Sequence, residues 1–581
     1  MTDEQRERKN QKRLLALAAV AGLVLAVSLV LAFAQRPRRV KTETREQQQA
    51  TDKREQQSSN RKGAAARTVR AGEDLQRALD AASPGDTILL EAGATFRGSF
   101  TLPYKPGTNT DADWITIRSA APDSSLPPAG TRITPAYSQA LPKIVSANYK
   151  GLDYGGPALK TAPRAHHYRV IGVEFAPADR SADLYDLITL GDGSDAQKSL
   201  DAVPHHLVLD RCYIHAYGDA PLKRGVALNS AQTEILNSHI SGAKKLDQDT
   251  QAVAGWNGPG PFKIINNYLE AAGENIMFGG GQPSIPDLVP SDIEIRRNLV
   301  SKPLAWRKGG PGFAGQAWSV KNLLQLKNAR RVNIDGNVFE NCWLSGQDGW
   351  AILFTVYNEN GHYAVVEDVR LTNNVVRHAA GGITIRGLDV LPGAHVRRVM
   401  IKNNLFEDID GKYGEAYGRF MMILRGTIEL TVEHNTVMNT GAPIFADGEP
   451  HMAFVFRNNI INLRGSGVFG QGRSPGTDSI SYYFPGADFR HNVMIGQTDE
   501  PYPANNFNPR SAEAVGFVDP ARRDFRLGPG SRFKGAATDN KDVGCDFDRL
   551  EAALNQGDAR GQLRTADARR EGQLSAATLF P

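Results

Sequence analysis

VRLTNNVVRH, residues 369–378, carries the pattern that decides the fold. Val369 and Leu371 alternate with Arg370 and Thr372, the period of a strand with one buried face, and the strand runs straight into Asn373-Asn374. The unit returns as FKIINNYLE (262–270), VMIKNNLFED (399–408) and FVFRNNIINL (454–463). Looser copies stand at Asp210-Arg211, Asn237-Ser238, Arg297-Asn298, Gly336-Asn337, His434-Asn435 and His491-Asn492. Successive second members lie 24 to 39 residues apart. A unit recurring at that spacing is one coil of a solenoid, too small to bury its own apolar face and stable only when stacked on its neighbours.

Each copy reads as strand, sharp corner, strand. Asparagine tolerates the left-handed backbone region and bonds its own neighbours, so two residues can turn the chain without a long loop. Stacked coil on coil, such side chains can bond along a ladder, each satisfying the next. Their expected role is structural, and the variable gaps place loops of different length at the other corners of each coil.

The pattern resembles the right-handed parallel β-helix family, whose members include pectate lyases and related polysaccharide enzymes. Residues 69–103, VRAGEDLQRALDAASPGDTILLEAGATFRGSFTLP, look like that family's helical cap and first coil: an amphipathic helix around Leu75, Ala78 and Leu79, a Pro84-Gly85-Asp86 turn, then strand Thr87–Leu90. Residues 523–554, RDFRLGPGSRFKGAATDNKDVGCDFDRLEAAL, resemble its closing segment. The resemblance implies an all-β fold, a right-handed, single-stranded parallel β-helix with an N-terminal capping helix, over residues 68–550. A short tail, 551–581, follows.

Composition suits one long repeat domain with many corners, since the chain has 581 residues with 57 Gly and 32 Pro. Three cysteines, Cys212, Cys342 and Cys545, give no disulfide framework, and the first two sit among strand residues as core fillers. Ahead of the repeats, Leu14–Ala34 is an uncharged stretch long enough to cross a hydrocarbon core of roughly 30 Å as a helix. A basic N-terminus (1–13) precedes it, and a polar tether (35–67), unable to offset its ordering cost by burial, follows. The expected arrangement is a single-pass membrane anchor carrying an extracytoplasmic β-helix. Ala32-Phe33-Ala34 offers the alternative of secretion after signal cleavage. Residues 1–70 hold 16 Lys/Arg against 7 Asp/Glu, so a chain of net charge +5 leaves −4 for everything after the tether. That removes the electrostatic basis for nucleic-acid binding by the solenoid and makes the membrane surface the partner of the basic tail. A monomer is expected.

The resemblance also says where chemistry would lie, on the outer face of the strand after the second loop of each coil. Aligning those strands on their apolar alternation puts Asn229, Trp256, Gly279, Lys327, Thr355, Arg386 and Arg425 in one outward column. Lys327 and Arg386 are the candidate catalytic residues, a base and a carboxylate-neutralising group for β-elimination on a uronate. Trp256, Asn257 and Arg425 are the candidate substrate-binding residues, with the indole as a sugar platform. Asp249 and Glu274, with Asp247 beside them, are candidate Ca²⁺ ligands or an acid and base pair across a glycosidic bond; turn capping is the structural alternative.

NNYLEAAGENIMFGG (266–280) and NLLQLKNARRVNIDGNVFEN (322–341) are similar in layout to chondroitinase B and alginate lyases of this class. The calcium-binding glutamate pair of those enzymes falls here near Leu323 and Gln325. The Asp-Asp and Gly-His-Gly signatures of polygalacturonases and the Trp-x-Asp-His motif of pectate lyases are absent. The histidines lack HExxH spacing, and His166-His167 and His205-His206 read as surface or corner residues, so no zinc site is expected. Two long insertions, GGGQPSIPDLVPSD (279–292) and LAWRKGGPGFAGQAW (304–318), favour a ligand cleft. The expected function is binding, and degradation by a lyase or hydrolase, of an acidic polysaccharide. The alternative is a non-catalytic envelope or glycan-binding solenoid.

Overall fold

A computed structural model describes residues 65–107, 110–147, 156–388 and 395–555. The apolar run Leu14–Ala34, nearly all of the tether and the tail beyond 555 lie outside the described residues. Among the described residues no helix is long and apolar enough to cross a membrane.

The described residues wind through three parallel sheets of 14, 13 and 12 strands, called here the first, second and third sheets in the order in which a coil visits them. One coil illustrates the rule: strand His205–Asp210, the corner Arg211-Cys212, strand Tyr213–His215, a turn, then strand Leu222–Leu228. Each strand pairs in parallel with its equivalents one coil before and after, as His205 does with His166 and Ala231. This is the parallel β-helix expected from the repeat.

The corner explains the asparagines. Its first residue is left-handed in every copy, with φ between 50° and 66° from Arg211 through Gly336 to His491. Its second residue turns inward and bonds along the stack. The backbone amides of Ser238, Asn267, Asn298, Asn337, Asn374, Asn404, Asn435, Asn459 and Asn492 each donate to the side-chain oxygen of the next corner, at 2.8–3.0 Å, ending on Asn506. Each ladder amide also donates to a strand carbonyl, as Asn337 Nδ2 does to Ile295 O at 2.8 Å. The ladder thus satisfies backbone groups that the sharp turn removes from the sheets. One copy is corrected: the first corner is Arg211-Cys212, not Asp210-Arg211, and the Cys212 amide takes the ladder position on Ser238 Oγ at 3.0 Å.

Both ends are covered. Helix α1, Leu75–Ala81, capped by the Asp74 carboxylate, buries Leu75, Ala78 and Leu79 over the first coil, as expected. At the far end helix α2, Thr477–Tyr483, sends Ile480 and Tyr483 into the main core. The closing segment takes a path along the side of the stack. Hairpin Phe517–Asp519 and Asp524–Leu527 and helix α3, Phe547–Asn555, fold back along the side of the solenoid, where Phe533, Leu550 and Leu554 cover Val338, Val375, Leu405, Ile460 and Val493 beside the corners. Asp546 N donates to the Asn403 side chain at 2.6 Å, which fixes that path. All three cysteines are buried and free.

Candidate functional site

The third sheet exposes an outer face with loops rising on both sides. Residues 279–290 and 356–365 leave its strands toward the first sheet, whereas 244–250, 302–323 and 343–349 arrive from the second. Strand register fixes the outward column. Gly255 pairs with Phe278, Phe278 with Leu326 and Leu326 with Phe354, so the next residues, Trp256, Gly279, Lys327 and Thr355, align; Thr355 itself pairs with Arg386.

Arg425 does not belong to that column. Arg386 pairs with Leu424, and Arg425, exposed and left-handed at φ 55°, sits one residue on at the corner before Gly426. Apolar alternation alone places a strand end only to within one residue, and a slip of one changes the face.

Two clefts share Lys327 and run along this face. The larger, ≈ 660 Å³, is lined by Tyr185, Lys223, Arg224, Gln251, Trp256 and Lys327 among others. The second, ≈ 400 Å³, continues past Gln325, Thr355, Tyr357 and Thr384 to Arg386 and Leu424. Eight strands, from Leu184–Leu190 to Arg419–Leu424, underlie the groove. At the usual strand spacing they span roughly 34 Å.

Lys327 is half-buried, its ammonium 5.5 Å from the centre of the Tyr357 ring, and among the described residues it makes no ion pair. Three cations of the first sheet differ: Arg330, Arg397 and Arg398 all close on Glu367 at 2.5–2.7 Å. Tyr357 is 38 % exposed, the open aromatic surface of the groove. Trp256 lines the larger cleft, but its indole already carries the Arg224 guanidinium at 4.6 Å and donates to Gly193 O at 3.3 Å. A Cβ on Gly193 would stand 2.2 Å from the ring, so the indole is wedged in place. It serves as a wall that holds Arg224.

Asn257 is not available to a ligand. It is fully buried; its amide nitrogen donates to the carbonyls of Asp192 and Gln197, and its oxygen accepts from the amides of Ser284 and Ile285. It pins two loops to the coil.

The carboxylates proposed for calcium already share a cation. Lys321 Nζ lies 2.5 Å from Asp249 Oδ2 and 4.0 Å from Glu274 Oε1, while Glu274 Oε2 accepts from Gln251 at 2.9 Å. An ammonium ion in that position supplies the charge that Ca²⁺ would bring, and two carboxylates fall short of the roughly six oxygens calcium takes. Of the positions matched to the glutamate pair of related lyases, Leu323 points into the core and only Gln325 reaches the groove.

The residues that sequence reading missed lie at the other end of the groove. Tyr185 accepts a 2.7 Å hydrogen bond from Lys223 Nζ, with the Arg224 guanidinium 4.9 Å from its ring. Burial alone would raise this phenol, yet the Lys223 hydrogen bond and the two nearby cations outweigh it and hold Tyr185 below the usual phenol range. Arg224 also bonds Asp186 Oδ1 and Gln251 Oε1, each at 3.1 Å, so a polar chain runs from Asp186 through Arg224 and Gln251 to Glu274. A signal existed for Lys223 and Arg224, because their strand, Leu222–Leu228, runs directly into Asn229 of the expected column. Tyr185 had none: the corner of its coil is Gly172-Val173, with no asparagine to mark it.

Loop 304–318 supports the groove without lining it with aromatics. Trp306 and Trp318 are buried with Val320, Trp343 and Ala272 in a small core of their own, and Lys244 lies 5.3–5.4 Å from both indoles.

No family model matches the chain, and no curated protein matches it either. Among solved structures it is similar to the PL6 family alginate lyase AlyGC, at 14% identity over 83% of this chain and 58% of that one, with a TM-score of 0.42. It is also similar to the catalytic unit of a GH87 α-1,3-glucanase from Streptomyces thermodiastaticus strain HF3-3, at 12% identity over 76% and 70% with a TM-score of 0.43. An alginate lyase from Paenibacillus sp. str. FPU-7 matches at 17% over 77% and 98%, with a TM-score of 0.28.

Proposed function

We propose that the groove on the third sheet binds an acidic polysaccharide and cleaves it by β-elimination. The observation that carries this reading is the Lys327 ammonium, half-buried at the meeting point of the two clefts, against the Tyr357 ring and without an ion pair among the described residues. A buried or half-buried cation left without an anion is stabilised when an anionic ligand arrives. In this reading Arg386 faces the uronate carboxylate, Tyr357 stacks on a sugar ring, and Lys327 takes the proton beside the carboxylate. Lys327 does so as the neutral amine, and the ammonium so formed protonates the leaving oxygen as the carbon–oxygen bond breaks and the carbon–carbon double bond forms.

A second reading of the proton transfer rests on Tyr185. Its phenol is held toward ionisation by Lys223, which suits a base, and Arg224 beside it can pair with a carboxylate. The export of the domain and its attachment to a membrane through Leu14–Ala34 belong to the same proposal, supported by that uncharged run and the basic residues around it. An N-terminal mass on the native protein decides between anchor and cleavage at Ala34.

The test is a panel of uronate-containing and neutral glycans read for unsaturated products and for new reducing ends. Unsaturated products from uronates only are expected, with Lys327→Ala lowering kcat about 10²–10⁴-fold, the usual worth of a proton-transfer group. If Tyr185→Phe gives that loss and Lys327→Ala does not, the base is Tyr185. New reducing ends without unsaturation would replace the lyase by a hydrolase, and binding without turnover would leave the non-catalytic alternative.

A further inference from the structure

Four histidines stand together on the outer face of the first sheet, away from the groove. Strands His166–Ile171 and His205–Asp210 are neighbours, with His205 paired to His166. Adjacent strand residues normally point to opposite faces. Here His167 and His206 are left-handed, at φ 57° and 52°, and both members of each pair turn outward. The left-handed step recurs at the same strand position in later coils, at Gln232, Asp292, Arg331, Asp368, Arg398 and Glu429, so it belongs to the fold; these two coils place paired imidazoles on it.

The result is a two-by-two array. His166 stacks on His205 with ring centres 5.0 Å apart, and His167 on His206 at 4.4 Å. Within each pair the Nδ1 atoms approach each other, to 2.8 Å for His166 and His167 and to 2.7 Å for His205 and His206. Ligand nitrogens of His167, His205 and His206 all lie within 4.8 Å of one another. Tetrahedral zinc with Zn–N bonds of 2.0–2.1 Å needs nitrogens roughly 3.4 Å apart, which small ring rotations reach from these positions.

We propose that His167, His205 and His206 form a site for one divalent transition-metal ion of the zinc class, with His166 orienting His167 from behind. Imidazole nitrogen suits zinc, copper and nickel and is a poor choice for calcium or magnesium. His166 and His167 are buried whereas His205 and His206 are half-exposed, so the ion enters from the His205 side and keeps a position for water there.

The surroundings are those of a ligand set. Burial holds all four imidazoles below their usual range, and repulsion from neighbouring rings adds to it for His167 and His205, which lie at about 4, so neutral donors stand ready at pH 7. Asp111 and Asp113 supply negative charge from the loop ahead, and Asp113 is itself buried. Trp114 packs its edge against His167 at 5.2 Å, and Tyr104 against His166 at 5.6 Å. The facing cations are Arg164, over Tyr104, and Arg169, over Trp114; each is taken up by an aromatic ring.

The test uses the full chain without a histidine tag, freed of metal by a chelator and titrated with Zn²⁺ alone. One equivalent bound with Kd of ~1 µM or tighter is expected, and Co²⁺ in its place should give the visible absorption of a low-symmetry nitrogen site. His205→Ala with His206→Ala should weaken binding more than ~100-fold, beyond the cost of losing an outer-shell partner, while His362→Ala leaves it unchanged. No saturable binding to the wild-type chain, or binding retained by the double variant, overturns the proposal. Should the double variant fail to fold, the Co²⁺ spectrum of the wild type decides alone: featureless absorption contradicts the site.

Discussion

Asn337 shows how much one corner residue holds. Its oxygen accepts from the Asn298 amide and side chain, its nitrogen donates to Ile295 O and to Asn374, and it is wholly buried. Asn337→Ala strands at least two backbone groups out of water, each worth about 1–3 kcal/mol, so a loss of ~3 kcal/mol is expected, read as a lower midpoint in urea unfolding. This role was legible in the sequence because the ladder repeats. Asn257 has the same chemistry but occurs once, and nothing local distinguishes a loop pin from a ligand contact. Asn257→Ala is therefore expected to destabilise the chain without a selective effect on KM. Arg425→Ala, at a position outside the column, should leave glycan turnover within about two-fold, since exposed surface changes away from a site are nearly neutral.

At the scale of elements, the repeat fixed strand identity and left strand ends open. The column from Trp256 to Arg386 follows from period-two alternation, which holds inside a strand; it fails at Arg425, where the strand passes into a left-handed corner. Loops follow no period, so the aromatics of residues 304–318 read as a ligand surface and fold instead as a small core around Trp306, Trp318 and Trp343. The His-His pairs were invisible as a cluster because their partner lies one coil away, about 40 residues along the chain. The closing segment carries its own prediction. Truncation before Phe517 uncovers the apolar stripe of Val338, Val375, Leu405, Ile460 and Val493, and such a patch drives association. The truncated chain should bind a hydrophobic dye and elute as larger species; a monodisperse, dye-silent product would contradict the packing described.

Over the whole molecule, acid should unfold the solenoid in two stages. Burial holds His451 at about 4 and His239 at about 3, below the unfolded value near 6.5. A group whose folded pKa is depressed in this way must lose its neutral form as pH falls, so stability is full above about 6.5 and declines toward pH 4. For His451 the loss by pH 4 is on the order of 3 kcal/mol. Glu174, Glu367 and Glu433 then follow at lower pH, because burial, which would raise their carboxyls, is outweighed by their cationic partners, and that stability is lost only as they protonate. Melting temperature against pH should show the first decline between pH 6.5 and 4, and His451→Gln, which keeps an acceptor for the Thr427 amide, should shrink it.

The central claim is that the outer face of the third sheet is where this protein meets its substrate. A crystal structure of the Lys327→Ala chain with an acidic oligosaccharide tests it most directly. The account predicts a sugar chain lying along the groove between Tyr185 and Arg386, with a ring on Tyr357 and a carboxylate at Arg386. An oligosaccharide seated on another face of the solenoid, with this groove holding only solvent, would contradict it.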